Sequence, residues 1–304
     1  MSTTVTTPSR RRQTVRVAAG RWTRIATLWL VAATFAYLMV AIVLAALRDR
    51  ESINDGGIFS GVSWSNLSYN WQQIAGFERG IFLTWFSNSL VLSLGATLVA
   101  LVTAVPAGYV LARLRFPGRR LILFVTLLTM VIPNTVLVIP IFLGVAAVGA
   151  LNELLPVILL LGFYPFGVYL ATIHYATSMP HELVESARVD GCAELGIFFR
   201  IALPMARQAT ALIAFFAFVA AWTNYFLPKV LLPLSAKAPM SVGLEQLIAQ
   251  SQLYDPTAAA GLNVELYMPQ LALAAVVQMA PILLVFIAAQ RYLVRGVNVG
   301  AVKG

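Results

Sequence analysis

Apolar residues fall along this chain in six long, nearly uncharged runs, about 25–47, 82–112, 121–143, 154–177, 204–227 and 267–290, with the charges gathered between them. A bilayer core about 30 Å thick needs ~20 apolar residues per helix. Each run is therefore long enough to span it. The runs are continuous and lack the ~10-residue alternation of barrel strands, so they predict helices. The run from Ile25 to Leu47 exceeds the ~7–15-residue apolar core of a cleaved signal peptide and reads as a retained first helix. From Leu121 to Leu151 no residue is charged, and Pro133-Asn134 and Pro140 lie inside. Each proline removes a backbone donor and crowds the preceding turn, so a break is expected there.

The segment from Arg48 to Gly80 carries Asn54-Asp55-Gly56-Gly57 as turn chemistry and Trp64, Tyr69 and Trp71 as interfacial anchors. The polar stretch from Glu185 to Pro204 differs from everything around it. Glu182, Glu185, Asp190 and Glu194 are all the carboxylates between Glu153 and Glu245. A lipid-facing helix would not concentrate charge in this way.

Composition agrees, with 60% hydrophobic and 11% charged residues among 304, against roughly a quarter charged in soluble domains. The chain reads as an all-α polytopic membrane protein. The net charge of +9 invites a nucleic-acid reading, but the basic residues sit where topology wants them. Arg10, Arg11, Arg12, Arg16, Arg21 and Arg24 precede the first run. The amino tail, the 113–120 loop, the 178–203 loop with Arg207 and the carboxyl end together hold sixteen Lys and Arg and four acids; the other side holds five and eight. The positive-inside rule then places both termini in the cytoplasm, with an even number of spans.

Several chemistries lack their residues. No G-x-x-x-x-G-K-[ST] loop cradles a nucleotide, and no G-x-S-x-G elbow is present. His181-Glu182-Leu183-Val184-Glu185 begins like a zinc helix but has Glu where the second His must stand. Cys192, the one cysteine, excludes an internal disulfide and reads as a small buried side chain. Asn134 is a pathway candidate or a polar contact between helices. Trp222-Thr223-Asn224 raises the same choice between pathway and packing.

Pro180 to Gly191 predicts a short helix. Proline suits its first turn, Glu182 and Glu185 lie near the positive end of its dipole, and Gly191 can end it in the left-handed conformation. Leu183, Val184 and Ala187 should share one face, while Glu182, Glu185 and Arg188 project outward. A second amphipathic piece follows to Arg200, and Pro204 is expected to open the next span.

Glu185-Ser186-Ala187, Asp190-Gly191, then nine residues to Ile201-Ala202-Leu203-Pro204 resembles the EAA loop of ABC importer permeases, E-A-A-x-x-x-G, nine residues, I-x-L-P. Ser186 for alanine is the departure in the opening triplet. Asn88-Ser89, the stretch Ala112 to Gly118, Trp222-Thr223-Asn224 and the ending from Gln290 to Gly296 and from Gly300 to Gly304 look like the carbohydrate branch, similar to the second permease subunit of maltose-type importers.

The resemblance implies six transmembrane helices in the type I importer permease fold. It divides the chain into a basic cytoplasmic tail (1–24), a first helix with an outer segment (25–80), a permease core (81–292) with a coupling loop at about 178–203, and a cytoplasmic tail (293–304). Glu182, Glu185, Ala187, Arg188, Asp190, Gly191, Leu203 and Pro204 would dock on a separate ATPase dimer that binds ATP and Mg. This chain would bind no cofactor and catalyse nothing. Its further partners would be a second permease in a heterodimer, an extracytoplasmic solute-binding protein and the lipid bilayer, in the inner membrane of a prokaryote. Gly300 to Gly304 would be a secondary ATPase contact. Asn134, Trp222 and Asn224 are the pathway candidates. The alternatives are an ATP-independent secondary transporter or channel, an amino-acid or peptide permease, and an intramembrane enzyme.

Overall fold

The structure, a computed structural model, describes residues 10–49, 51–53, 57, 59–251 and 266–298, and side chains within these from residue 21 to 292 except that of Ile53. The 54–56 turn and the Gly300–Gly304 contact lie outside the described residues. Every regular element among the described residues is helical.

Helix α1 (Arg10–Ala46) begins within the arginine-rich stretch. After a single turn at Glu51–Ile53, α2 (Trp64–Gly76) starts where the Ser63 hydroxyl accepts from the Ser65 N–H. Helix α3 (Ile81–Arg113) is the central post. At 1.5 Å per residue its 33 residues reach about 50 Å, more than the apolar layer requires.

Helices α4 (Arg119–Val131) and α5 (Asn134–Ala147) meet at 103° across Ile132-Pro133, which confirms the expected break. Next come α6 (Leu154–Gly162) and α7 (Pro165–Ser178). Their junction was not expected from the continuous apolar run. Pro165 denies the helical region to Tyr164, which sits at φ −123°, ψ 81°.

The polar loop contains α8 (His181–Val189), α9 (Glu194–Ile197), a π turn at Phe198–Ala202 and the single turn α10 (Leu203–Met205). Here one expectation is corrected. Pro204 does not open the following span but belongs to the loop arm Glu194–Met205, which meets α11 (Arg207–Trp222) at 77°. Pro204 cannot donate to Arg200 and crowds its carbonyl, so the turn widens and the Leu203 N–H reaches Phe198 instead. The chain continues through α12 (Phe226–Leu231), α13 (Met240–Ala249) and α14 (Met268–Asn298).

Helices α6, α7 and α11 surround α3. A Cβ at Gly108 would stand 2.3 Å from that of Ala171, so the α3–α7 crossing admits no side chain there. Gly162 against Val99 and Gly243 against Trp85 make comparable close approaches. Helix α1 rests chiefly on α14, and neither α4 nor α5 buries a residue.

Among the described residues four helices are long and apolar enough to cross a membrane, Arg21–Ala46, Ile81–Arg113, Leu154–Ser178 and Met268–Tyr292, and up to six if each bent pair counts as one. The two faces of the bundle are distinct. Arg113 bonds to Tyr175 and Met179, placing the 113–120 loop beside the polar loop. At the opposite end Asn70 donates to the carbonyls of Ala46 (3.0 Å) and Arg48 (3.1 Å) and accepts from Gln270 (2.7 Å), uniting α1, α2 and α14.

Candidate functional site

The polar loop folds as two short helical arms around a glycine. Helix α8 ends in a closed C-cap: the Gly191 N–H reaches the Arg188 carbonyl (3.0 Å) and the Cys192 N–H reaches Ala187 (2.9 Å). Gly191 sits at φ +80° with open space where a Cβ would project. Its glycine is required by backbone conformation, not by crowding.

Val184 and Ala187 are buried and rest on the same cluster as Ile197, Phe198 and Ala202 of the second arm. Tyr109, Tyr175, Met179 and Ile213, from or beside the spanning helices, complete that cluster. The loop thus shares a core with α3, α7 and α11, so force applied to it reaches the spans through packed side chains. Leu183 does not join this face and is exposed. A helix this short, seated by two small residues, leaves the third apolar position outside.

Polar contacts brace the arms. Arg188 Nε donates to Glu194 Oε1 at 2.6 Å, and the Tyr109 hydroxyl donates to Glu194 Oε2 at 3.2 Å. The carboxylate's hydrogen bond holds the Arg188 guanidinium above its ordinary pKa. Arg113, 8% exposed, donates to the Tyr175 carbonyl at 2.5 Å and to that of Met179. It thereby caps the end of α7 one residue before Pro180. Glu194 and Arg113 were absent from the expected site. Glu194 was visible as one of four clustered acids, whereas Arg113 looked like an ordinary loop charge.

The outer face of the loop mixes chemistries. Glu182, Glu185, Asp190, Cys192 and Pro204 are exposed, Leu203 is half-buried, and among them stand Val189 (88% exposed), Leu195 (73%) and Phe199 (61%). Cys192 is therefore not the buried side chain expected. A surface of carboxylates and large apolar groups suits a protein partner.

The three pathway candidates lie apart from this loop. Asn134 is exposed at the start of α5, on the 103° bend. Trp222 is 1% exposed; its indole donates to the Gln278 carbonyl at 2.9 Å and stacks on Phe218 with centroids 5.7 Å apart. Asn224 Oδ1 accepts from the Leu227 N–H at 3.3 Å, bracing the start of α12. Asn88 and Ser89 hold the segment before α13, donating to Ala236 and Ala238 (both 3.0 Å) and accepting from the Met240 N–H (2.7 Å). Glu153 pairs at the surface with Lys237 (2.9 Å).

These features define a helical membrane protein with a polar loop packed into its core and presented outward. Residues 104–299 match the family of binding-protein-dependent transport system inner membrane components, and the chain belongs to that family. It is 30% identical over 283 residues to the arabinooligosaccharides transport system permease protein AraQ of Halalkalibacterium halodurans, covering 91% of this chain and 96% of that protein. It is 32% identical over 224 residues to the diacetylchitobiose uptake system permease protein NgcG of Streptomyces coelicolor, covering 72% and 69%. In fold it matches, at a TM-score of 0.74 and 23% identity, a chain of a bacterial ABC transporter involved in the import of the acidic polysaccharide alginate, over 95% of this chain and 99% of that one.

Proposed function

We propose that this chain is the membrane-spanning permease of an ATP-driven importer for a carbohydrate or sugar-like solute, coupled to a separate ATPase through the 178–203 loop. The observation that carries this is the double character of the loop: Val184 and Ala187 are sunk into the core of the spans, while Glu182, Glu185, Asp190, Leu195 and Phe199 face outward. Closure of an ATPase dimer on that outer face would turn the spans as a unit.

In this reading the chain crosses six times, through α1, α3, the bent pair α4–α5, α6–α7, α11 and α14, with the Glu194–Met205 arm left in the loop and both termini in the cytoplasm of a prokaryotic inner membrane. The basic side defined by the 113–120 and 178–203 loops supports that orientation. A second permease completes a heterodimer, an extracytoplasmic binding protein delivers the solute, and ATP and Mg stay on the ATPase subunits. This chain carries no ATPase site of its own. Asn134, exposed on the α4–α5 bend, is the solute-facing candidate. Trp222 and Asn224 would serve the pathway by fixing helix ends around it.

The carbohydrate assignment rests on the oligosaccharide systems of AraQ and NgcG. Glu153, the acid nearest the middle spans, lies in an exposed ion pair, which supports ATP coupling over an ion-coupled transporter. The test is uptake of labelled oligosaccharide into proteoliposomes holding this chain and its partner subunits. Uptake that needs both ATP and the binding protein is expected; uptake without ATP would overturn the reading.

A further inference from the structure

Among the residues whose side chains are described, and apart from the polar loop, three arginines gather at the turn between α3 and α4. Arg115, Phe116, Gly118, Arg119 and Arg120 line a cleft of about 320 Å³. None of these guanidiniums pairs with a carboxylate among the described residues. Arg119 makes one long bond, Nη2 to the Ala112 carbonyl at 3.5 Å, which folds its side chain back over the end of α3. Three like charges gathered without a counter-ion repel one another, so the cleft favours an anion from outside the chain.

Two further observations say which anion. The cleft lies where α3 leaves its apolar run and α4 begins its own, the end of a membrane-crossing helix at which phospholipid headgroups would be met. From it runs the uncovered side of α4, with Leu121, Phe124, Val125 and Leu128 all exposed, and Phe116 half-buried at its mouth. Charge at one end and an apolar strip at the other match an amphiphile, whereas a free phosphate would leave the strip unused.

We propose that the cleft of Arg115, Arg119 and Arg120 binds the phosphate headgroup of an anionic phospholipid, whose acyl chain lies along α4. The inference needs only that the chain spans a membrane, and stands apart from its transport role. Bound there, the lipid would hold α4 against the turn after Arg113, on the side of the bundle that carries the polar loop.

The test is native mass spectrometry of the full chain, with any co-purifying subunits, in mild detergent. Dioleoyl phosphatidylglycerol and dioleoyl phosphatidylcholine are added separately. Wild type is expected to bind phosphatidylglycerol at least about tenfold more tightly than phosphatidylcholine, the scale of a few surface charges. R115Q/R119Q/R120Q should lose that preference and R115K/R119K/R120K should keep most of it. If the triple glutamine variant does not purify, R115Q and R120Q, both at exposed side chains, should each show part of the loss.

Equal preference in wild type and the glutamine variants would overturn the proposal. So would complete displacement of the lipid by inorganic phosphate, which would make this a free-anion site. Loss of a co-purifying subunit from the triple variant, with no lipid bound by wild type, would assign the cleft to a protein. Because binding is read in detergent, an error in the membrane orientation would leave the result standing. Failure of ATP-driven uptake would not touch it either.

Discussion

Arg188 and Glu194 meet at 2.6 Å across the Gly191 turn, joining the two arms of the polar loop by a hydrogen-bonded ion pair. Both side chains are 42% exposed. The pair therefore sets the angle between the arms more than it adds to stability, since exposed pairs contribute roughly 0.2–1 kcal/mol. A double-mutant cycle with Arg188→Ala and Glu194→Gln, read by thermal unfolding in detergent, should give a coupling energy below about 1 kcal/mol. A larger value would mean that the pair anchors the fold.

Gly191 should be intolerant for a backbone reason. Its φ of +80° with free space around the missing Cβ means that Gly191→Val carries strain of ~1–2 kcal/mol without any clash. Gly191→Asn should be milder, because asparagine tolerates the left-handed region. In reconstituted transporter, valine should separate ATP hydrolysis from uptake and asparagine should largely preserve their ratio. Normal uptake by the valine variant would sink the coupling role.

Arg113→Ala should cost on the order of 2–3 kcal/mol, because it leaves the carbonyls of Tyr175 and Met179 without their charged donor. Arg113→Lys should recover part of this. Thermal midpoints of the purified chain measure both. A midpoint unchanged by alanine would show that the α7 terminus holds without the guanidinium.

Trp222 separates packing from pathway. Trp222→Phe removes the bond to the Gln278 carbonyl and part of a ring stacked on Phe218, and should lower stability by about 1–2 kcal/mol. Solute affinity should stay unchanged. Asn134→Ala should do the reverse, weakening solute affinity with little effect on the thermal midpoint. The opposite pattern at either residue would reverse the two roles.

Much of this architecture is legible in the sequence, and what is not has identifiable causes. Apolar runs mark the spans because the bilayer demands length. Pro133 marks the sharp bend because a proline inside a helix has few outcomes. The Gly191 turn follows from one residue's conformational freedom. Pro204 misleads, since proline also suits the first turn of a span; the Ala206 bend that decides the matter has no side-chain signature. The junction at Tyr164 hides because Phe163-Tyr164-Pro165 is as apolar as its surroundings. Arg113 reads as a topological charge because the carbonyls that it caps lie more than sixty residues away, at Tyr175 and Met179. Helical spacing points Leu183 inward, but it cannot tell which of three neighbouring apolar positions a short docked helix leaves out.

The proposed coupling requires that the outer face of the 178–203 loop seat on an ATP-binding subunit. Cys192, the single cysteine of the chain, lies exposed on that loop. Labelling it with a photoactivatable maleimide, illuminating membrane vesicles active in ATP-dependent uptake and identifying the adducts by mass spectrometry tests the claim without altering the chain. An adduct with an ATP-binding polypeptide, its yield changing when nucleotide is added, is the expected result. Adducts with lipid alone, or with other polypeptides but no ATP-binding one, in vesicles that retain uptake, would contradict it.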